Sequence, residues 1–509
     1  MYLASVKTNI TTNLFAAVWV TVLTAVITPV QINLLGIESY GLIGFIATLQ
    51  IVFSAFDLGL SSTLTREIAA DTSPGRRASS ELIRTASTVY WGLAAAIALT
   101  LGLSAATVAR LWFNAEALAS DDLASALYLI IAYLALRWPI ALYSGILAGL
   151  HRLDIVNLVK VITATLRNIS GIIVIFIWRD VHAFLWCLAA NALIEIAAYW
   201  FAALRAYHTS SFGFGISGPA LRSVWKFSLN MGAISVLALI ISQLDRLMAS
   251  KLLPLDQFGY YSLAYNTAAV ATIASAAISS AMLPSFSALQ APSDRAAILR
   301  RYADANRVIL YVMGLATFPL IFFGDAILRL WIGPAAAQGA YPAMAILALA
   351  FWVNGIVSNP YNIAVAMGRP DIPLRVSAFS AVPYAVLLWV GIGRYGGPGA
   401  AGGWLILMVA YVAALIPVVH ARLLDIPIIG SLRTIILPFG LLGVGSFGLP
   451  WLVIRSDPSF VPTVTSSVGA LTVAVALYVS IGYWLVGESL RSQFRRSIFA
   501  IRNFGGRHA

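Results

Sequence analysis

Between Asn157 and Ile177 the chain reads NLVKVITATLRNISGIIVIFI, an apolar run long enough to cross a bilayer. A run of this kind must satisfy its own backbone in lipid, which makes it a helix. Two cations lie inside it, Lys160 and Arg167, although burying such a charge in hydrocarbon costs about 3 kcal/mol or more. Seven residues separate them, so both fall on one side of the helix. Positions 157, 160, 164, 167 and 171 read Asn, Lys, Ala, Arg, Gly, whereas 158, 162, 166, 169 and 173 read Leu, Ile, Leu, Ile, Ile. One face is polar or small, and the other suits lipid or a packed neighbour. The helix therefore turns toward a wet, cationic interior. Lys160 can also snorkel to the membrane edge. Arg167, near mid-span, cannot do so easily and reads as lining a cavity.

The rest of the chain fits this reading. Hydrophobic residues make up 60% and charged residues 10% of the 509, with a mean hydropathy of +0.87. Soluble proteins carry about 25% charge, so the composition defines an integral membrane protein. Long unbroken apolar runs exclude an outer-membrane barrel, whose strands alternate. Cys187 is the single cysteine, which rules out a disulfide framework. No cleavable signal peptide is expected, because the first apolar run is too long for a signal core.

Fourteen spans are predicted, at about 13–35, 40–64, 86–109, 123–150, 156–177, 182–205, 224–250, 258–286, 308–323, 341–367, 376–393, 400–420, 435–454 and 464–486. The fold class is all-α: a polytopic protein of 14 transmembrane helices. With the N-terminus inside, 22 of the 32 Lys and Arg fall in cytoplasmic segments and six in external loops. That asymmetry places both termini in the cytoplasm. It also accounts for the net charge of +12 without a nucleic-acid partner.

An internal repeat divides the chain. Leu34–Gly41 reads LLGIESYG and Leu252–Gly259 reads LLPLDQFG, 218 residues apart. Gly149 precedes Arg152-Leu-Asp154-Ile155, and Gly368 precedes Arg369-Pro-Asp371-Ile372, 217 residues apart. Two matches at nearly one offset imply a duplicated six-helix unit. Six being even, the copies should relate by an axis along the membrane normal. The expected parts are a lobe at 1–222, a second lobe at 223–422, two appended helices at 423–486 and a basic cytoplasmic tail at 487–509. That tail places Leu490, Phe494 and Ile498 on one face among arginines, as an interfacial helix or a disordered basic segment would.

The intramembrane charges gather in the first copy. Arg137, Arg167 and Glu195 lie at similar depth, while Lys160 and Asp57 lie nearer the cytoplasm. Asp245 and Arg246 read as an interface ion pair at the outer end of the seventh span. The repeat offset maps Arg137 onto Asn354 and Arg167 onto Tyr384, polar but uncharged. Asn354, Ser358 and Asn362 form a stripe around Pro360, where a kinked helix could expose backbone to a cavity. Cations at mid-depth suit an anionic group such as a phosphate, which arginine holds by paired hydrogen bonds. Alternatively, Glu195 neutralises Arg137 or Arg167 as a lock between helices.

Signals for conventional catalysis are missing. Gly213-Phe-Gly215-Ile-Ser-Gly218 matches a dinucleotide fingerprint but follows no strand. The five histidines lack metal-ligand spacing. No cofactor and no metal are expected.

Several segments resemble a known family. Asn13, Trp19, Pro29 and LLGIESYGL, then Phe56-Asp-Leu-Gly-Leu60 with Thr65-Arg66-Glu67, are similar to the opening of bacterial oligosaccharide flippases. Ser242-Gln-Leu-Asp-Arg246 through KLLPLDQFGYYSLAY resembles the midpoint of the same family, and Leu330-Trp-Ile-Gly333 also fits. These flippases belong to the multidrug/oligosaccharidyl-lipid/polysaccharide exporter superfamily, and the resemblance covers about residues 1–420. It implies two six-helix lobes around a central cavity, in the bacterial inner membrane. It further implies export of undecaprenyl-pyrophosphate-linked oligosaccharide for surface polysaccharide or lipopolysaccharide, with no enzymatic step. In that frame Arg137, Lys160 and Arg167 would engage the pyrophosphate, with Asn354, Asn362 and Tyr384 as further cavity residues. Asp57 or Glu195 would couple an ion. Membrane lipid and polysaccharide assembly proteins are the other expected partners.

Two alternatives stand beside it. A multidrug exporter of the same fold would favour acidic and aromatic cavity walls, against the basic stripe here. A membrane glycosyltransferase or polysaccharide polymerase would need a large external loop with catalytic acids. The longest candidates, Arg110–Asp122 and Gly324–Ala340, are short.

Overall fold

The computed structural model describes residues 2–71, 77–114, 120–207, 213–218, 239–279, 295–427, 432–456 and 464–486, apart from a few single positions. The C-terminal tail at 487–509 lies outside them. The described chain is helical, with one isolated bridge between Asn114 and Pro254. In order come α1 (Tyr2–Leu35), α2 (Ile37–Ser54), α3 (Leu60–Ala70), α4 (Arg77–Trp112), α5 (Ser120–Arg137), α6 (Ile140–Gly149), α7 (Leu153–Trp178) and α8 (Val181–Tyr207). Then follow α9 (239–252), α10 (Leu255–Ala269), α11 (Arg295–Trp331), α12 (Pro334–Ala366), α13 (Asp371–Val419), α14 (Leu437–Gly443), α15 (Leu449–Ser456) and α16 (Val464–Leu485).

Eleven described elements are long and apolar enough to cross a membrane. The longest, Asp371–Leu424, has 54 residues, far more than one crossing needs. Gly396 interrupts it with φ 61 and ψ −136, a conformation open to glycine, so it folds back as two crossings. Helices α9 and α10 supply the described parts of two more. Fourteen crossings follow, as the apolar runs predict.

Two predicted spans are broken within their length. The run at 40–64 is cut by a 3-10 turn at Ala55–Asp57 and by Gly59 at φ 78. The run at 123–150 is cut at Pro139, which has no N–H and clashes with the preceding turn. The half-helices beyond both breaks, α3 and α6, pack together. Thr65 Oγ1 donates to the Gly145 carbonyl at 2.9 Å across that contact. The expected loop at Gly324–Ala340 is instead largely helix. Helix α11 runs on to Trp331, and α12 restarts at Pro334, a residue suited to a first helical turn.

The chain resolves into two compact units, residues 1–262 and 263–509. In the first, α2 crosses the start of α10 with no room for side chains. A Cβ at Gly41 would lie 2.7 Å from the Leu255 carbonyl, and one at Gly259 would overlap the Ile37 carbonyl. Residues 41 and 259, like 37 and 255, are separated by the 218-residue offset of the sequence repeat. The contact is reciprocal, as around a local two-fold axis. In the second unit α16 lies along α11, with the Tyr311 and Tyr478 rings stacked 5.4 Å apart, and the predicted appended helices are anchored there.

The second repeat match is also structural. The Arg152 amide donates to the Leu147 carbonyl at 2.9 Å, and the Arg369 amide to Ala364 at 2.8 Å. His151 and Gly368, one residue earlier, share positive φ values of 59 and 71. Arg152 Nε bonds Asp154 at 3.1 Å and Arg369 Nε bonds Asp371 at 2.9 Å. These hydrogen bonds raise both guanidinium pKa values.

Candidate functional site

Helix α7 presents the two faces expected of it. Leu158, Ile162, Leu166, Ile169 and Ile173 are exposed, whereas Asn157, Ala164, Asn168 and Gly171 are buried. Arg167 lies between them and points at Glu195 of α8. Its Nη1 donates to Glu195 Oε2 at 3.2 Å. The other carboxylate oxygen, Oε1, accepts from Arg137 Nη2 at 3.1 Å. Arg137 ends α5, immediately before the Pro139 break, where a cation also suits the helix dipole. Its Nη1 donates to Tyr133 Oη at 2.8 Å, and Gln50 Nε2 of α2 donates to the same hydroxyl at 2.9 Å.

Three helices thus meet at one carboxylate, and α2 joins the network through Tyr133. The Glu195 side chain is 7% exposed, against 24% for Arg137 and 20% for Arg167. Two guanidiniums facing one carboxylate leave a surplus positive charge, and both side chains stay partly exposed. The lock expected from the sequence is present, and it joins Glu195 to both arginines. Sequence reasoning missed Gln50 and Tyr133. Their signal was polarity inside an apolar run, which also marks many packed side chains.

The other candidates lie elsewhere. Lys160 is exposed on α7, about 10 Å of helix rise from Arg167. Asp57 sits in the break after α2, where it accepts from Tyr90 Oη and, at 2.7 Å, from Ser61 Oγ. Asp245 and Arg246 are both buried. Asp245 accepts the Tyr261 hydroxyl at 2.6 Å, and Arg246 donates to Gln243.

In the second unit Asn354 and Asn362 are half-buried, and Asn354 Nδ2 approaches Met408 Sδ at 3.3 Å. Tyr384 is 2% exposed and packs on Trp404. The structure therefore places it in the core, away from an open wall.

Apolar crossings enclosing a half-buried cluster of charge define a polytopic membrane protein with a polar interior. The sequence profile of the polysaccharide biosynthesis protein family matches residues 6–290, more than half of the chain, and the chain belongs to that family. A Shigella flexneri protein described as "Putative O-antigen transporter" is 23% identical over 381 residues, spanning 74% of this chain and 88% of the relative. Among solved structures, the lipid II flippase MurJ in an inward closed conformation aligns with a TM-score of 0.74 at 14% identity. That alignment covers 95% of this chain and 99% of the flippase. An inward-facing multidrug resistance transporter of the MATE family aligns at 0.65 and 14% identity, over 81% and 93%. These likenesses establish a shared fold.

Proposed function

We propose that the chain is a flippase that carries undecaprenyl-pyrophosphate-linked oligosaccharide from the cytoplasmic to the periplasmic leaflet, by alternating access and without covalent chemistry. The observation that carries the reading is the Arg137–Glu195–Arg167 bridge. It presents a net positive, half-buried pair of guanidiniums, the geometry that binds phosphate oxygens in pairs. Membership of a polysaccharide biosynthesis family and likeness to the O-antigen relative support the glycan cargo. A multidrug exporter sharing the fold fits less well, because the half-buried charge cluster is net cationic.

In this scheme the lobes at 1–222 and 223–422 move about the repeat axis, which the reciprocal contact between α2 and α10 supports. Both termini lie in the cytoplasm of a bacterial inner membrane, as the distribution of Lys and Arg supports. Lys160, exposed nearer the cytoplasmic end, meets the pyrophosphate on entry. Asn354 and Asn362 contact the glycan from the second lobe. Asp57 and Glu195 are the carboxylates through which an ion would couple.

The test is surface glycan in a strain lacking the native gene, with membrane abundance measured in parallel. Arg167→Ala should lower export by tenfold or more, taking about 1.4 kcal/mol as the least worth of a charge-assisted bond. Arg167→Lys should restore part of it, since a point charge replaces a fork. Full export by an abundant Arg167→Ala protein would remove the proposed substrate role.

A further inference from the structure

The glycine-rich segment Gly213–Gly218 is a strap laid along α4. The Gly215 amide donates to Thr88 Oγ1 at 2.9 Å, and the Ser217 amide to Thr85 Oγ1 at 3.1 Å. Two charged side chains of α4 also reach the strap. Arg84 Nη2 donates to the Phe214 carbonyl at 3.4 Å, and Glu81 Oε2 accepts the Ser217 hydroxyl at 3.3 Å. A Cβ on Gly215 would lie 3.2 Å from that arginine nitrogen, so the glycine makes room for the guanidinium. Glu81 and Arg84 are both exposed. Residues three apart on a helix are neighbours, about 5–6 Å between Cβ atoms, yet each of these engages the strap in place of the other.

Gly213 and Phe214 of the strap close one side of a cavity of about 420 Å³ between α4, α6 and α8. Trp91, Tyr143, Ile196 and Trp200 form the other walls. Trp91 Nε1 donates to Tyr143 Oη at 3.2 Å, which leaves the rings as an apolar surface. Leu193 and Trp200, 54% and 44% exposed, border it on the side of α8 turned from Glu195. The α4 span has 33 residues, about 50 Å of helix against a hydrocarbon core of about 30 Å. Its ends therefore stand in the headgroup layers. Arg84 lies near its start, and Trp91 about 10 Å deeper, as tryptophan at a membrane interface does.

We propose that this cavity seats one phospholipid with a primary ammonium headgroup, of the phosphatidylethanolamine class. Its phosphate pairs with Arg84, its ammonium donates to Glu81, and the start of an acyl chain lies against Trp91, Ile196 and Trp200. The headgroup carries its two opposite charges two carbons apart, matching two opposite charges one helical turn apart. An anionic lipid lacking the ammonium leaves Glu81 facing its phosphate. A choline lipid has the cation but no N–H to donate. Exposed apolar surface on crossing helices meets lipid, which makes lipid the occupant. The site lies in the first unit, away from the arginine bridge, and stands whichever cargo that bridge takes.

The experiment uses the purified, delipidated full chain in detergent micelles and phosphatidylethanolamine carrying a diazirine in one acyl chain. After irradiation, mass spectrometry should map saturable labelling to α4 around Trp91 and to α8 between Leu193 and Trp200. Unlabelled phosphatidylethanolamine should compete, with phosphatidylglycerol and phosphatidylcholine each about tenfold weaker for want of one charge-assisted bond. In Glu81→Gln the ethanolamine and glycerol lipids should compete equally. In Arg84→Gln labelling at these peptides should fall about tenfold. The competition series on the unaltered chain needs no variant to fold. Equal competition by all three lipids, or an ethanolamine preference that survives Glu81→Gln, would overturn the proposal. So would competition by glycerophosphoethanolamine as strong as by the lipid, or crosslinking of two copies through α8 in place of lipid labelling.

Discussion

Gly44 on α2 faces Ser262 on α10 so closely that a Cβ on the glycine would overlap the serine hydroxyl. The two residues are 218 apart, the offset of the repeat, so each meets its own counterpart. Flanking them, Gly41 meets Leu255 and Gly259 meets Ile37. A contact of this form places the local two-fold axis between Gly44 and Ser262. Under the proposed cycle it is the seam that parts.

Gly44→Leu should force α2 away from α10, because even a bare Cβ would lie 2.6 Å from Ser262 Cβ, and export should fall several-fold while membrane abundance holds. Undiminished export by an abundant Gly44→Leu protein would mean that the close approach at this seam does not matter to the cycle.

The shared carboxylate predicts an order of stabilities. Removing Arg137 or Arg167 alone leaves Glu195 with one partner, so each single alanine variant should lose little. Removing both strands a 7% exposed carboxylate, which costs about 3–5 kcal/mol for a buried pair broken outright. Glu195→Gln should sit between, since it leaves two like charges adjacent. Thermal unfolding of the four purified variants checks this, and a double variant as stable as either single one would contradict it.

Pro139 positions Arg137 by ending α5. Pro139→Ala allows the helix to continue, rotating Arg137 away from Glu195. We expect export to fall several-fold with little change in melting temperature, the combination expected of misplacement rather than unfolding. A fall in melting temperature matching the fall in export would point to unfolding instead.

Asp57 holds the other break together through Tyr90 and Ser61. Tyr90→Phe should cost about 1–2 kcal/mol, since a half-buried acceptor loses one of its donors. An unchanged melting temperature would show that water replaces the hydroxyl freely.

Much of this was legible in the residues. Apolar run length specified the crossings, and the periodicity of residues 157–173 specified which face of α7 is exposed. Depth along the spans grouped Arg137, Arg167 and Glu195. Contact partners were not legible, because they depend on how neighbouring helices are rotated. That is why a single carboxylate serving both arginines emerged only from the structure, and why Tyr384 proved to be core. The break at Pro139 had a visible signal, yet proline within an apolar run is tolerated when neighbours satisfy the freed carbonyl.

The surplus charge on the Arg137–Glu195–Arg167 bridge also has an electrical meaning for a flippase working as proposed. Empty, the site is net positive. Holding a pyrophosphate, which brings more negative charge than that surplus, it becomes net negative. Across a membrane whose inner side is negative, an outward step with the anion and an inward return of the empty cation are both downhill. Each elementary charge crossing the full field contributes about 2.3 kcal/mol per 100 mV. In proteoliposomes, a diffusion potential of that sign should speed turnover and the reverse potential slow it, and Arg167→Gln, which leaves the empty site neutral, should remove the voltage dependence of the inward return. A voltage-insensitive rate would mean that the bridge stays fixed in the field while the lobes move around it.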